Sequence, residues 1–393
     1  MEAQSKKRVA VIGCTGSVGG SALDVCRSYP EDFTVTALAA DTGRETFPAL
    51  CREFGAKRAV LSVPRADLPA DVQLACGEKA LLDLIDPAVA DHFVFASSGV
   101  AAVKALQKAL EAGLEVSLAN KESALILGAR IAPFVERGQL RPLDSEHNAL
   151  WQCLAGEERS GVAKLILTAS GGPFLRTPPE QLEAVTPAQA AAHPVWPMGR
   201  KISVDSATMI NKGIELLEAS YLFGVPASRV GAVIHPGSKV HALVSFADGA
   251  SKLLLSPPDM RLAALTALSW PKRPQLKLSG IAPVSLDGLD LHFEAPTRDR
   301  FPGFFTALDA AKLGEPFAVI LIAADEAAVK LFLEEKIPFT GIARLVAAMI
   351  DRYEGGVADS VEERIALYER CLAAAEELAV SGTLGGAAKK GWR

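Results

Sequence analysis

The chain has 393 residues, 49% of them hydrophobic and 22% charged, with a formal net charge of −5. That length exceeds one ordinary hydrophobic core, so two or three domains are expected. The composition is that of a soluble protein, and the mild negative charge excludes nucleic acid and anionic membrane surfaces as expected partners. Six cysteines, at 14, 26, 51, 76, 153 and 371, show no paired spacing. They read as the reduced thiols of a cytoplasmic protein, neither a disulfide frame nor a zinc site. Lys6, Lys7 and Arg8 precede an apolar run that stops at Ile12, too short for a signal peptide, and the run Phe317–Ala324 is stopped by Asp325 and Glu326, so no membrane span is expected.

In chain order, Arg8–Ile12, Phe33–Ala39, Arg58–Leu61, His92–Ala96, Leu114–Leu118 and Gln139–Leu143 are short β-branched or apolar runs. Helical patterns such as Ala101–Ala112 and Glu122–Arg137 lie between them. Alternation of this kind predicts an α/β fold with a parallel sheet covered by helices. After the first strand comes Gly13-x-x-Gly16-x-x-Gly19. Glycine there lets the backbone approach a pyrophosphate at a helix N-terminus, so the turn predicts dinucleotide binding. Lys164–Thr168, Ala232–His235, Val240–Phe246 and Lys252–Leu255 predict strands of a second unit. The segment 192–199 is bounded by Pro194 and Pro197 and cannot be regular. Residues 274–300, rich in Pro, Gly and Asp, read as a linker, followed by helical periods at Phe305–Leu313, Phe317–Glu335, Gly341–Tyr353 and Ser360–Ser381. The expected division is therefore 1–144, 145–273, a linker at 274–300, and a helical part at 301–393.

Two stretches carry candidate chemistry. In the first, Asp144-Ser145-Glu146 follows a predicted strand. Carboxylates at i and i+2 on an extended chain point the same way and can grip one hard cation. The second runs from His193 to Glu218, and its latter half predicts a helix capped by Asp205 or Ser206. Ile210, Ile214, Leu217 and Tyr221 form a buried stripe, while Asn211, Glu215 and Glu218 form a polar face beside it. Such a face is ordinarily just solvated. Ser206, Asn211 and Lys212 near a helix N-terminus suit a phosphate, however. Glu215 one turn on would complete, with Asp144 and Glu146, an oxygen site for magnesium or manganese.

Gly13-Cys-Thr-Gly-Ser-Val-Gly19, Ala119-Asn-Lys-Glu-Ser123, Asp144-Ser-Glu-His-Asn-Ala149, Ser170-Gly-Gly-Pro-Phe174 and Gly199–Glu215 stand in one order. Together with His235-Pro236…His241 and Pro258-Asp259-Met260-Arg261, they resemble the 1-deoxy-D-xylulose 5-phosphate reductoisomerase family over nearly the whole chain. The resemblance implies a Rossmann-like dinucleotide-binding domain, an α/β catalytic (connective) domain with a flexible loop at 192–199, and a C-terminal α-helical domain. It implies NADPH held by Thr15, Gly16, Ser17, Val18, Asn120, Glu122 and Gly199. It implies a divalent ion (Mn2+, Mg2+ or Co2+) on Asp144, Glu146 and Glu215. Lys121 and Ser145 would meet the oxygens of a small sugar-phosphate substrate, Ser170, His193, Ser206, Asn211 and Lys212 its phosphate, and Trp196 would cover it. The implied reaction is a retro-aldol and re-aldol rearrangement followed by reduction to 2-C-methyl-D-erythritol 4-phosphate, in a homodimer of the cytoplasm.

Two other classes fit parts of the pattern: a metal-dependent sugar-phosphate aldolase or phosphatase with no redox step, and a non-catalytic binding protein. The chain departs from the family at His235-Pro236-Gly237-Ser238, where a glutamine is usual before the serine, at Ala96-Ser97-Ser98-Gly99, and at Asp41. Asp41 lies about 20 residues past Gly19, where a carboxylate commonly accepts hydrogen bonds from an unphosphorylated ribose; Thr42 and Arg44 nearby favour the 2′-phosphate. NADPH with a modest advantage over NADH is the expectation.

Overall fold

A computed structural model describes residues 5–43, 45–192, 199–380 and 392. Arg44, His193 and Trp196 lie outside the described residues. The chain divides into two compact units, one of residues 1–123, 130–152 and 259–283, the other of 124–129, 153–258 and 284–393.

The first unit is built on a seven-stranded parallel sheet. Its strands are β1 (Lys7–Ile12), β2 (Phe33–Ala39), β3 (Arg58–Leu61), β4 (Gln73–Cys76), β5 (His92–Phe95), β6 (Glu115–Leu118) and β7 (Leu140–Pro142), in the order β4-β3-β2-β1-β5-β6-β7. Apart from the exposed edge strand β4, these strands are largely buried on both faces, which is why they read as continuous apolar runs and not as alternations. Val9, Val11, Leu38 and Val94 pack with Leu23 and Val25 of the Ser17–Ser28 helix, and with Ala264, Leu265 and Leu268 of the Met260–Ser269 helix. That last helix falls in sequence beyond the second sheet, yet it belongs to this first core. Part of the expected linker is held here too. The Tyr29 hydroxyl donates to the Gln275 carbonyl at 2.9 Å and accepts the Lys277 N–H at 2.9 Å.

The second unit contains a four-stranded sheet of β8 (Val162–Ala169), β9 (Val230–Ile234), β10 (Val240–Phe246) and β11 (Ser251–Leu255), ordered β11-β10-β8-β9. β8 and β9 are parallel, and β10 is antiparallel to β8 and β11. Four helices follow: Pro302–Leu313, Glu315–Leu333, Phe339–Asp351 and Val361–Val380. Alanine and glycine permit their close approach. A Cβ on Gly213 would lie 2.3 Å from Ala307 Cβ, so the Ile210–Phe223 helix can cross Pro302–Leu313 only because residue 213 lacks one.

Three expectations are corrected. The helix expected to start at Asp205 or Ser206 is two helices, Arg200–Thr208 and Ile210–Phe223, separated by Met209 in the left-handed region (φ 57°). Asp205 and Ser206 are interior to the first of them, and the N-cap positions are Gly199 and Met209. The helix expected at Glu122–Arg137 is broken into Lys121–Leu127, a 3-10 turn at Gly128–Ile131, and Ala132–Glu136. Gly128 turns left-handed there (φ +62°), with the Arg364 guanidinium and Glu315 carboxylate packed against it. Finally, Asp144 and Glu146 do not leave a strand as an extended pair. The strand ends at Pro142 and Ser145–Leu154 is helical, the Asn148 N–H donating to the Asp144 carbonyl at 2.8 Å.

Candidate functional site

All seven strands of the first sheet are parallel, so their C-terminal ends share one edge. Strand order reverses between β1 and β5, and a crevice for ligands opens at such a switch point. The glycine turn after β1 lies there. Gly13 (φ +85°) packs on the loop after β5: a Cβ would meet the Ala96 carbonyl carbon and the Ser97 nitrogen at 2.4 Å. A Cβ on Gly19 would come 2.2 Å from the Gly13 oxygen, so only glycine lets the Ser17–Ser28 helix start this close to its strand. Gly16 precedes the helix as its N-terminal cap residue, with Ser17 exposed and Thr15 and Val18 half-buried. Asn120 is 1% exposed and donates to the Ser97 and Gly99 carbonyls at 2.7 and 2.9 Å while accepting the Ser123 N–H at 2.6 Å. It therefore ties the loops after β5 and β6 together. Glu122, half-buried, stands in the first turn of the next helix.

One strand further along the same edge, β6 and β7 run side by side with Leu118 opposite Pro142. Lys121 is three residues past Leu118 and Asp144 two past Pro142, and their side chains meet at 2.5 Å, with exposures of 14% and 13%. The Ser145 hydroxyl donates to Glu146 Oε2 at 2.6 Å. Asn148, 1% exposed, secures this turn by donating to the Pro142 carbonyl at 2.8 Å. Sequence reading missed that role, although an amide four residues after the aspartate, on the same helical face, was its signal.

The second unit gathers another group. β8 ends at Ala169, and the Ser170-Gly171-Gly172 turn follows, with both glycines left-handed. A Cβ on Gly172 would lie 2.8 Å from the Ser206 carbonyl oxygen and 2.9 Å from Ala207 Cα, so this turn rests directly on the end of the Arg200–Thr208 helix. That contact brings the turn that follows Ser170 onto the Ser206 backbone although the two are distant in sequence. The chain then reverses at Met209, and the Thr208 hydroxyl accepts the Ile210 N–H at 3.3 Å. Asn211 and Lys212 occupy the first turn of the next helix. Lys212 is 5% exposed and Glu215 2%; they form an ion pair, and the Asn211 amide donates to Glu215 at 2.5 Å. The polar face of this helix is therefore buried, Glu218 included at 1%. Gly199, also in this unit, caps the Arg200–Thr208 helix, and its carbonyl accepts the Ser203 hydroxyl at 3.0 Å.

Two features of this unit were given no role from the sequence. Lys201 bridges Asp205 at 2.8 Å and Asp325 at 3.2 Å, tying the Arg200–Thr208 helix to Glu315–Leu333. Asp325 is fully buried, and burial, with Asp205 beside it, pushes its carboxyl up to about 8. His235 and His241 are both buried. His235 donates from Nδ1 to the His292 carbonyl at 2.8 Å and stacks on Phe293, while burial pushes His241 down to about 4, with the Lys212 charge acting the same way.

The carboxylate donors Asp144, Glu146 and Glu215 are hard oxygen ligands of the kind a divalent ion takes. Asp144 and Glu215 each already face an ammonium group, Lys121 and Lys212 respectively. Both positions therefore favour positive charge, of the kind a divalent ion would supply.

Three family models match the chain. The one described as 1-deoxy-D-xylulose 5-phosphate reductoisomerase covers residues 9–128, and its C-terminal domain covers 140–223. A DXP reductoisomerase C-terminal domain covers 255–379. The 1-deoxy-D-xylulose 5-phosphate reductoisomerase of Cupriavidus metallidurans is 42% identical over 371 residues, 91% of this chain and 94% of that protein. The solved Zymomonas mobilis enzyme in complex with NADPH superposes with a TM-score of 0.86 at 35% identity, covering 96% of this chain and 100% of that one. A DOX-P reductoisomerase in complex with NADPH, fosmidomycin and magnesium gives 0.87 at 34%, covering 95% and 98%.

Proposed function

The chain belongs to the 1-deoxy-D-xylulose 5-phosphate reductoisomerase family, and we propose that it rearranges and reduces 1-deoxy-D-xylulose 5-phosphate to 2-C-methyl-D-erythritol 4-phosphate with NADPH and a divalent metal. The observation that supports this best is the shared sheet edge. A glycine turn built for a dinucleotide and the Lys121–Asp144 pair stand at the C-terminal ends of one parallel sheet. Hydride donor and reacting carbon must meet in one pocket, because the aldehyde formed by rearrangement has to be reduced before it escapes.

Asp144, Glu146 and Glu215 are the proposed metal ligands. When bound, the ion supplies Lewis-acid polarisation of the substrate's carbonyl and neighbouring hydroxyl oxygens. Thr15, Gly16, Ser17 and Val18, aided by Asn120, Glu122 and Gly199, would hold the dinucleotide, whose nicotinamide would supply the hydride. The Lys121 ammonium, held by Asp144, is a donor to the substrate oxygens, and the Ser145 hydroxyl is a second. Ser170, Ser206, Asn211 and Lys212 take the phosphate, with His193 joining and Trp196 covering by resemblance alone. Holding the phosphate away from the reacting carbons lets binding energy orient the substrate and lower the barrier. The protein is proposed to act as a homodimer in the cytoplasm. An aldolase or phosphatase reading without a redox step finds no support among these relatives.

The direct test mixes purified protein with 1-deoxy-D-xylulose 5-phosphate, magnesium or manganese, and NADPH, and follows cofactor oxidation. Oxidation that requires both substrate and metal is expected. Substrate consumption without oxidation would replace this reading with the non-redox one.

A further inference from the structure

Asp41 lies at the same sheet edge as the glycine turn, two residues past the end of β2. The turn is joined to that strand end: the Gly13 and Cys14 N–H groups both donate to the Ala39 carbonyl, at 2.8 and 3.1 Å. Asp41 is in turn held from β3. The Ser62 N–H donates to the Asp41 carbonyl at 2.9 Å, and the Ser62 hydroxyl donates to Asp41 Oδ1 at 2.6 Å. Ser62 is the first residue after β3, which pairs with β2 in parallel register, Ala39 opposite Val60. Asp41 is exposed, and the bond from its neighbour strand orients its carboxylate. The guanidinium of Arg65 donates to the Gly43 carbonyl and pairs with Asp67 at 2.5 Å.

A dinucleotide with its pyrophosphate on the glycine turn extends its adenosine ribose to the end of the second strand. A carboxylate oriented there accepts hydrogen bonds from the ribose hydroxyls. Toward a 2′-phosphate it presents like charge, which lowers affinity for the phosphorylated cofactor. We propose that the Ser62–Asp41 pair sets the dinucleotide preference of this protein by accepting the unphosphorylated ribose, so that NADH serves alongside NADPH with little discrimination. Asp41 is the specificity-determining residue and Ser62 its positioning residue. The inference rests on the reductoisomerase reading above.

The test is the affinity of the substrate-free protein for NADPH and for NADH, measured by titration calorimetry on the wild type, Asp41→Asn, Ser62→Ala and Ser62→Thr. Thermal melts of each variant check the fold. The wild type should bind the two cofactors within about tenfold of each other. Asp41→Asn should tighten NADPH by roughly ten- to a hundredfold, the scale of one like-charge contact removed from a binding site, and should weaken NADH. Ser62→Ala should move both affinities in the same directions by less, and Ser62→Thr, which keeps the hydroxyl, should restore the wild-type ratio. A wild type that binds NADPH about a thousandfold tighter than NADH, with Asp41→Asn changing neither, overturns the proposal and leaves the reductoisomerase reading standing. Binding of neither cofactor overturns both.

Discussion

The two edges of the seven-stranded sheet are both charged, yet they use charge differently. At the N-terminal edge, Glu115 receives Lys7 at 2.9 Å, Arg141 at 2.9 Å and the buried His92 ring at 3.1 Å. The same cations reach on to the Met260–Ser269 helix: Arg141 donates to the Ala267 carbonyl at 2.9 Å and Lys7 to the Leu268 carbonyl at 3.1 Å. Those carbonyls belong to the last turn, which has no partners of its own within the helix, so this network is a helix cap as well as an ion cluster. A cavity of about 530 Å³ opens beside it, lined by Glu115, Gln139, Arg141 and Trp270. Its polar groups are already engaged, Gln139 with the Leu110 and Leu114 carbonyls at 2.8 and 3.0 Å. At the C-terminal edge the charged groups instead stand on turns and first helical turns. Lys121 and Asp144 face each other there. Neither the number of charges nor the size of a cavity by itself marks a site.

The sharpest way to break this comparison is Asp144→Asn. The change keeps size while removing one carboxylate from the proposed metal set and the partner of Lys121. Turnover is expected to fall by roughly 10² or more, the scale for losing a key electrostatic group, with little change in melting temperature. Normal turnover with a large loss of stability would make this edge a second structural network. The reciprocal change is Arg141→Met at the opposite edge. It leaves the Ala267 carbonyl and part of Glu115 unmet, and is expected to cost about 1–3 kcal/mol in urea unfolding. kcat/KM of the folded protein should stay near wild type.

The smallest effect is the pH dependence of the capping network. Burial pushes His92 down to about 4, against which the Glu115 hydrogen bond acts, so the ring is neutral at pH 7. Burial alone would raise Glu115, but His92, Lys7 and Arg141 together hold it well below the usual carboxylate range. For His92 the folded state binds fewer protons than the unfolded chain. Its contribution is therefore complete above about pH 6.5 and is lost as pH falls through about 4. His241, also pushed down to about 4, adds the same sign from the second unit. Melting temperatures of the wild type should fall over that window, and His92→Gln should flatten part of the slope. An unchanged slope in His92→Gln would remove the histidine from the network's acid response.

Much of the fold was legible because its strands are long apolar or β-branched runs: Phe33–Ala39, Arg58–Leu61 and Val240–Phe246 have in the structure the bounds that the residues predict. β4 escaped because it is a sheet edge. Gln73, Ala75 and Cys76 are exposed, and Gln-Leu-Ala-Cys shows no strand pattern. The candidate site was legible where chemistry sits in consecutive residues, as in the glycine turn and Asp144-Ser145-Glu146. It was illegible where packing assembles it. Nothing in the spacing of Gly172 and Ser206 says that one rests on the other. Nor does any pattern pair Lys201 with Asp325, 124 positions apart.

The sequence by itself determined most of the strands and helices, that a parallel sheet carries a glycine turn after its first strand, and which family the motifs resemble. These follow from periodicity and from residues whose conformational needs are local, such as glycine at Gly13 and Gly19. Tertiary structure alone decided that Met260–Ser269 completes the first core, that the chain reverses at Met209, that Glu215 and Lys212 are buried as a pair, and that Ser62 holds Asp41. Each of those depends on which surfaces meet after the chain has collapsed. Burial then turns an ordinary carboxylate, lysine or serine into a group with a fixed partner and direction.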